Sequence, residues 1–282
     1  MVAHTLLNVF KANKPAFGIW LTNGGFVHAR SVARSLVSNP QLSRPNMSWI
    51  MLDCEHGLLP LNPAGATEVI AAIHGVKDGP SALVRIPATG HGTGSGSEGV
   101  NWQIKYALDA GARGVLVPMV STPSQAHQVA QSSRFPPLGR RGFGSPYTQE
   151  NWNIPTGSEY LSVANDNVVV LVQIETREGV ENVKAIAEVD GIDGLFIGPY
   201  DLSICLGYPP PSPDPHPEIE KVIQDILRAA HDAGKKCAMY CTSGAQAAQR
   251  AAEGFDMINV TSDVGAMQSG ITAEFNAATT AT

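Results

Sequence analysis

The sequence predicts an α/β chain folded as a (β/α)₈ barrel, and three observations predict it. Strand-length apolar runs alternate with segments of helical period along the chain. The runs are almost continuously apolar, the pattern of a parallel sheet covered on both faces. Eight of them fall within 282 residues, close to the ~250 residues of a typical TIM barrel. A doubly wound open sheet is the structural alternative.

The strands are expected at FGIWLT (17–22), WIMLDC (49–54), SALVRI (81–86), GVLVPMV (114–120), VVVLVQIE (168–175), GLFIG (194–198), CAMYC (237–241) and MINVT (257–261). FVHARSVARSLV follows the first as a helix, NPAGATEVIAAIHG the second and WQIKYALDAG the third. PSQAHQVAQSS, REGVENVKAIAEV, HPEIEKVIQDILRAAHDAG and GAQAAQRAAEG continue the alternation. Gly111, Gly234 and Gly254 stand where helices hand over to strands, the usual place of a left-handed helix cap. Three stretches fall outside the alternation and read as surface loops: 87–99, 133–155 and the Pro-rich 208–217. No domain boundary is visible, so 1–282 reads as one barrel domain with its core over about 15–270.

A content of 43% hydrophobic and 16% charged residues is globular. The net charge of −6 argues against a nucleic-acid surface. No apolar run reaches the ~20 residues of a membrane span, and the N-terminus lacks the pattern of a signal peptide. Cys54, Cys205, Cys237 and Cys241 do not have zinc-site spacing. Buried reduced thiols are expected, and with them a cytoplasmic location.

GSGSEG (94–99) matches a dinucleotide-binding pattern literally. Its glycines lie eight or more residues beyond the preceding strand, and the next strand ends in Ser121 and Thr122 with no acid to hold a ribose. A flexible loop is the better reading.

In a barrel, function is carried at the C-terminal strand ends. Asp53, Glu55 and His56 follow the second strand and Arg85 closes the third. Gln173 and Glu175 close the fifth on one face, and Asp201 follows the sixth in FIGPYDLS. A Gln and a Glu in an otherwise apolar strand are costly unless paired or bound to a cation. One alternative has Glu175 salt-bridged to Arg85 for stability. Another makes Asp201 merely the N-cap of DLSICLG. Gly198 lets backbone approach a ligand closely. Two carboxylates from adjacent strands suit a hard cation, Mg²⁺ or else Mn²⁺ or Co²⁺, that polarises a substrate oxygen. His56 would transfer a proton, with Asp53 orienting its ring. Arg85 would stabilise oxyanion charge. Glu55 and Cys54 read as structural or as supporting the residues that touch substrate. No strand offers the inward Lys that imine chemistry needs, since Lys235 and Lys236 precede the seventh strand.

Seven motifs in colinear order, DCEHG, VRIP, QIKYALDAG, VLVPMV, RFPPLGRRGFGS, VLVQIETREG and VDGIDGLFIGPYDLS, resemble the HpcH/HpaI aldolase/citrate lyase family. The likeness is to its pyruvate aldolase branch, which includes macrophomate-synthase-like fungal members. The resemblance implies a barrel of the phosphoenolpyruvate/pyruvate type. It also implies a homohexamer, a trimer of dimers that exchange a C-terminal helix. It implies metal-dependent class II cleavage of a 4-hydroxy-2-oxo acid into pyruvate and an aldehyde. Glu175 and Asp201 match the metal ligands, His56 the base and Arg85 the transition-state stabiliser. Gln173 and the backbone at Tyr200 match substrate contacts. Tyr200 stands where many members have Ala or Asn and is expected to reshape the aldehyde pocket. The resemblance also implicates Asp109, in ALDAG, as enhancing the histidine. Asp109 ends a helix, so it would reach an active site only across a subunit interface.

The expected activity is thus aldol cleavage or condensation through a pyruvate enolate, a site that would also decarboxylate oxaloacetate. The rivals are a CoA-thioester lyase of the citrate or malyl type and a non-catalytic barrel serving as a binding scaffold.

Overall fold

The computed structural model of the protein describes residues 4–37, 47–87 and 97–280. Eight strands close a barrel in chain order: β1 (Ala16–Leu21), β2 (Met47–Asp53), β3 (Ser81–Arg85), β4 (Gly114–Val117), β5 (Val169–Ile174), β6 (Gly194–Ile197), β7 (Lys236–Met239) and β8 (Met257–Ser262). Every neighbouring pair is parallel, and β8 closes on β1. The open-sheet alternative is thereby excluded. The helices are α1 (Thr5–Lys11), α2 (Phe26–Val37), α3 (Glu68–His74), α4 (Ser97–Asp109), α5 (Pro123–Ser133), α6 (Pro146–Asn151) and α7 (Gly157–Ala164). They continue with α8 (Arg177–Glu181), α9 (Val183–Ala187), α10 (Pro199–Leu206), α11 (Pro217–Asp232), α12 (Gly244–Glu253) and α13 (Asp263–Thr279).

Strand alternation divides the core in two. Trp20, Trp49, Met51, Leu83, Leu171 and Phe196 pack together in the barrel interior. Ile50, Leu52, Val84, Val170, Val172 and Ile197 face the helix layer. The parity that sends Trp49 and Met51 inward carries Asp53 inward as well, and Leu83 does the same for Arg85. Layered filling of this kind makes the barrel a packed core and not a pore.

Several expectations need correction. The fourth strand stops at Val117, because Pro118 has no N–H to give the ladder and Met119 takes φ +59°. The 133–155 loop contains α6, capped by the Ser145 side chain, and the REGVENVKAIAEV helix is broken at Asn182 into α8 and α9. The unpredicted α1 places Leu6 and Phe10 in the interior cluster and plugs the N-terminal end. Most of the Gly/Ser run at 87–99 lies outside the described residues. Gly111, Gly234 and Gly254 do take positive φ. Cys54, Cys237 and Cys241 are buried free thiols, but Cys205 is exposed on α10, against expectation. Among the described residues no helix is long and apolar enough to cross a membrane.

Candidate active site

The strand ends that the sequence singled out meet at one mouth. Asp53 and Arg85 are direct partners in the β2–β3 register. Arg85 Nε donates to Asp53 Oδ1 at 2.9 Å and Nη2 to Oδ2 at 2.6 Å. Trp20 Nε1 donates to the same Oδ2 at 2.9 Å, and the Arg85 guanidinium lies 5.0 Å over the Trp20 ring. Burial pushes the Asp53 carboxyl up, but the hydrogen bonds and charge of Arg85 outweigh it and hold it below the usual carboxylate range.

The turn after β2 is built on that carboxylate. The backbone N–H groups of Glu55 and His56 each donate to Asp53 Oδ1 at 3.1 Å. Gly57 follows because a Cβ there would stand 2.3 Å from the Asp53 carbonyl. Asp53, expected to orient the His56 ring, therefore holds the backbone that carries it. The carboxylate beside the ring belongs to Glu55, whose Oε2 lies 3.7 Å from His56 Nε2 and 2.9 Å from Arg85 Nη1. Of the two readings of Glu55, structural or supporting the site, these contacts favour the second. The His56 side chain itself is 67% exposed, which leaves it open to a substrate.

Glu175 is 2% exposed just beyond β5. Met119 N–H donates to its Oε1 at 2.9 Å and Gln173 Nε2 to its Oε2 at 2.8 Å. Among the described residues Arg85 pairs with Asp53 and Glu55, not with Glu175. The stabilising salt bridge considered as an alternative is therefore not formed. Burial, with the charges of Asp201 and Glu55 adding to it, pushes the Glu175 carboxyl up to about 8. Asp201 is exposed on the first turn of α10, whose N-cap is Gly198, so Asp201 is not the cap. Gly198 cannot carry a side chain: a Cβ would stand 2.5 Å from Glu175 Oε2 and 2.9 Å from Gln173 Nε2.

No group of three or more metal-ligating side chains occurs among the described residues. A hard divalent ion does not require one, since it accepts one or two carboxylates and completes its shell with water and substrate. Glu175 and Asp201 follow adjacent strands at one mouth and repel each other electrostatically. Gln173 Oε1 is buried beside them without a hydrogen-bond partner. Excess negative charge and an orphaned acceptor fit a cation with its ligand shell.

An aromatic wall borders the mouth. Tyr240 stands 5.3 Å from Trp20 and 6.4 Å from Tyr200, ring centre to ring centre. Sequence reasoning missed Trp20, Met119 and Tyr240, since an aromatic or apolar residue at a strand end looks like ordinary core. Asp109 lies elsewhere. It ends α4, binds Lys105 Nζ, and accepts from Arg141 Nη2 at 2.9 Å.

The fold and its polar mouth define a barrel enzyme, and comparison gives the class of chemistry. The HpcH/HpaI aldolase/citrate lyase family model matches residues 33–269. The 4-hydroxy-2-oxo-heptane-1,7-dioate aldolase of Shigella flexneri is 36% identical over 80% of this chain and 74% of its own. The hydroxypyruvate/pyruvate aldolase of Rhizorhabdus wittichii is 32% identical over 89% of each chain. The crystal structure of an HpcH/HpaI aldolase/citrate lyase family protein from Burkholderia cenocepacia superposes with a TM-score of 0.80 at 28% identity, covering 97% of this chain and 98% of that one. The protein is thus a carbon–carbon lyase of the aldolase type. It belongs to the HpcH/HpaI aldolase/citrate lyase family.

Proposed function

We propose that the protein is a divalent-metal-dependent class II aldolase that cleaves 4-hydroxy-2-oxo acids to pyruvate and an aldehyde, and runs the reverse condensation. The observation that carries this reading is the buried Glu175 carboxyl, which burial and the charges of Asp201 and Glu55 push up to about 8, so that a bound cation would be needed to keep it fully ionised at neutral pH. Glu175 and Asp201 would hold the ion, which when bound would polarise the 2-oxo group and accept developing negative charge.

His56 takes the proton from the distal hydroxyl as the carbon–carbon bond breaks. Its exposed ring reaches substrate from a backbone that Asp53 pins. Glu55 Oε2 lies 3.7 Å from the ring Nε2 and 2.9 Å from Arg85 Nη1, so it ties the two groups together. Arg85 is anchored by Asp53 and Glu55 and offers its charge to the developing oxyanion. Gln173 Oε1 would accept from a water in the ion's shell, and the backbone at Tyr200, admitted by the missing side chain of Gly198, would contact the oxo acid. Tyr200, 39% exposed with its ring 6.4 Å from that of Tyr240, would shape the side on which the aldehyde departs. Returning the proton to the three-carbon product completes pyruvate; oxaloacetate, which has no hydroxyl proton to give, would lose CO₂ to the same enolate and take its completing proton from water.

Assembly is part of the proposal. Met267, Ile271 and Phe275 repeat at helical spacing on α13 and are 55%, 53% and 68% exposed. Such a stripe suits packing against a second copy in a homohexamer. Asp109 would then act on a neighbour's His56.

Calorimetric titration with Mg²⁺, Mn²⁺ or Co²⁺ in the presence of pyruvate tests the reading. Wild type is expected to bind pyruvate only with the ion, and Glu175→Gln to lose ion, pyruvate and activity together. Chelator-insensitive cleavage by wild type would refute metal dependence. In chelated protein at neutral pH, Glu175→Gln is expected to unfold no more easily than wild type, because it removes a buried acid that has no cation to balance it.

A further inference from the structure

We infer that the N-terminal end of the barrel carries a second ligand site, for a small molecule with an oxyanion head, carboxylate or phosphate, held by Arg113 against Trp152. A cavity of about 430 Å³ opens there, lined among others by Arg113, Trp152, His74, Val76 and Ile154. It lies at the opposite end of the strands from His56, since Arg113 immediately precedes β4 and Ser81 opens β3. Its volume is in the range of sites for small ligands, about 300–1,000 Å³.

Arg113 is the anomaly that points to a ligand. Five arginines are buried among the described residues: Arg85, Arg113, Arg134, Arg141 and Arg250. Four of them hold a carboxylate, from Asp53, Asp193, Asp109 and Glu220 respectively. Arg113, 4% exposed, forms no ion pair among the described residues, and its Nη1 has no hydrogen-bond partner. Its one strong contact is the Trp152 ring, 3.9 Å below the guanidinium. A guanidinium held over an aromatic face makes that contact through its face and keeps its N–H donors for other partners, and a planar carboxylate or a phosphate can take two of them. Burial pulls Arg113 down to about 9, so it still carries its charge at neutral pH.

The surroundings favour an anion with a short apolar body. His74 lines the cavity with both ring nitrogens buried and without partners. His4 is already committed, with Nε2 at 3.1 Å from the Arg113 carbonyl and Nδ1 at 3.0 Å from Ser81 Oγ. Lys77 and Asp78 stand exposed at the rim with opposite charges, which leaves Arg113 as the net charge within. Val76 and Ile154 supply apolar wall.

The test is the melting temperature of the full-length protein with inorganic phosphate and with benzoate, in wild type, Arg113→Met and Glu175→Gln. The two probes separate a phosphate from a carboxylate head. Wild type and Glu175→Gln are expected to gain about 2–4 °C with at least one probe at roughly tenfold over its Kd, and Arg113→Met to gain none. A shift that survives in Arg113→Met, disappears in Glu175→Gln, or fails with both probes in wild type overturns the site. Labelling of wild type by phenylglyoxal, read by peptide mass spectrometry, does not depend on how the variants fold. Arg113 should react when free and be protected by the stabilising anion. Arg113 that reacts only after dilution dissociates the assembly would assign the cavity to a second copy of the chain, and Arg113 that never reacts would exclude an open site. Either result overturns the proposal.

Discussion

Asp53 and Arg85 face each other across β2 and β3 and join through two hydrogen bonds of 2.9 and 2.6 Å, both residues being almost wholly buried. This pair links barrel stability to the polar mouth, because the same carboxylate also receives the N–H groups of Glu55 and His56. Asp53→Asn is expected to destabilise by about 3–5 kcal/mol, the usual result of stripping one partner from a buried pair. It should also lower kcat/KM, since the His56 turn loses its anchor. Urea unfolding and steady-state kinetics on one preparation measure both effects. A variant as stable as wild type would show that Glu55 alone satisfies Arg85.

His56→Ala should leave ion and pyruvate binding unchanged while kcat for cleavage falls by about 10²–10⁴-fold, the range of a lost general base. The check is calorimetric binding beside kinetics. Turnover equal to wild type would exclude His56 as the base.

Gly198→Ala places a methyl group where Glu175 Oε2 stands, 2.5 Å from the new Cβ. Both neighbours are held, Glu175 by Met119 N–H and Gln173 by Glu175 itself. The carboxylate must therefore move. At least a tenfold weaker ion-dependent affinity for pyruvate is expected, with the barrel still folded, as circular dichroism and titration would show. Unchanged affinity would mean that Glu175 does not hold the ion.

Acid should weaken the barrel from its N-terminal end. Burial pulls both His4 and His74 down to about 3 from an ordinary value near 6.5. Between those values the unfolded chain binds the protons and the folded chain does not. The stability of the neutral pair is therefore fully present above about pH 6.5 and is lost as pH falls toward about 3. The slope is about 1.4 kcal/mol per pH unit for each histidine. His74→Leu should remove one share of that slope and cost little at pH 7.5, because its ring nitrogens have no partners to lose. Urea unfolding across pH 5–8 gives the slope, and an identical slope in wild type and variant would rule out His74 as a contributor.

Much of the mouth was legible because a barrel turns position along the chain into position in space. Gln173 and Glu175 share a strand face by parity, and Asp53, Arg85 and Asp201 sit where parallel strands end. The rest carried no local signal. Trp20 looks like any core aromatic, yet its indole N–H binds Asp53. Met119 looks apolar, yet its backbone at positive φ holds Glu175. Glu55, two residues beyond Asp53, looks like surface charge and proves to stand between Arg85 and His56. Seven residues were too few for α1 to show a period, although Leu6 and Phe10 plug the barrel.

The chain alone determined the alternation of strands and helices, the parallel pairing of the strands and the order of their polar ends. Those features follow from apolar period, cap residues and strand parity, all of which act over a few residues. Tertiary structure decided which side chains meet. The β2–β3 register gave Asp53 to Arg85 rather than to the His56 ring. Closure of the barrel brought Glu175 and Asp201 to one mouth, and it buried Arg113 at the other end without a carboxylate. Such pairings join residues far apart in the chain, and only strand register and packing within the closed barrel set their distances.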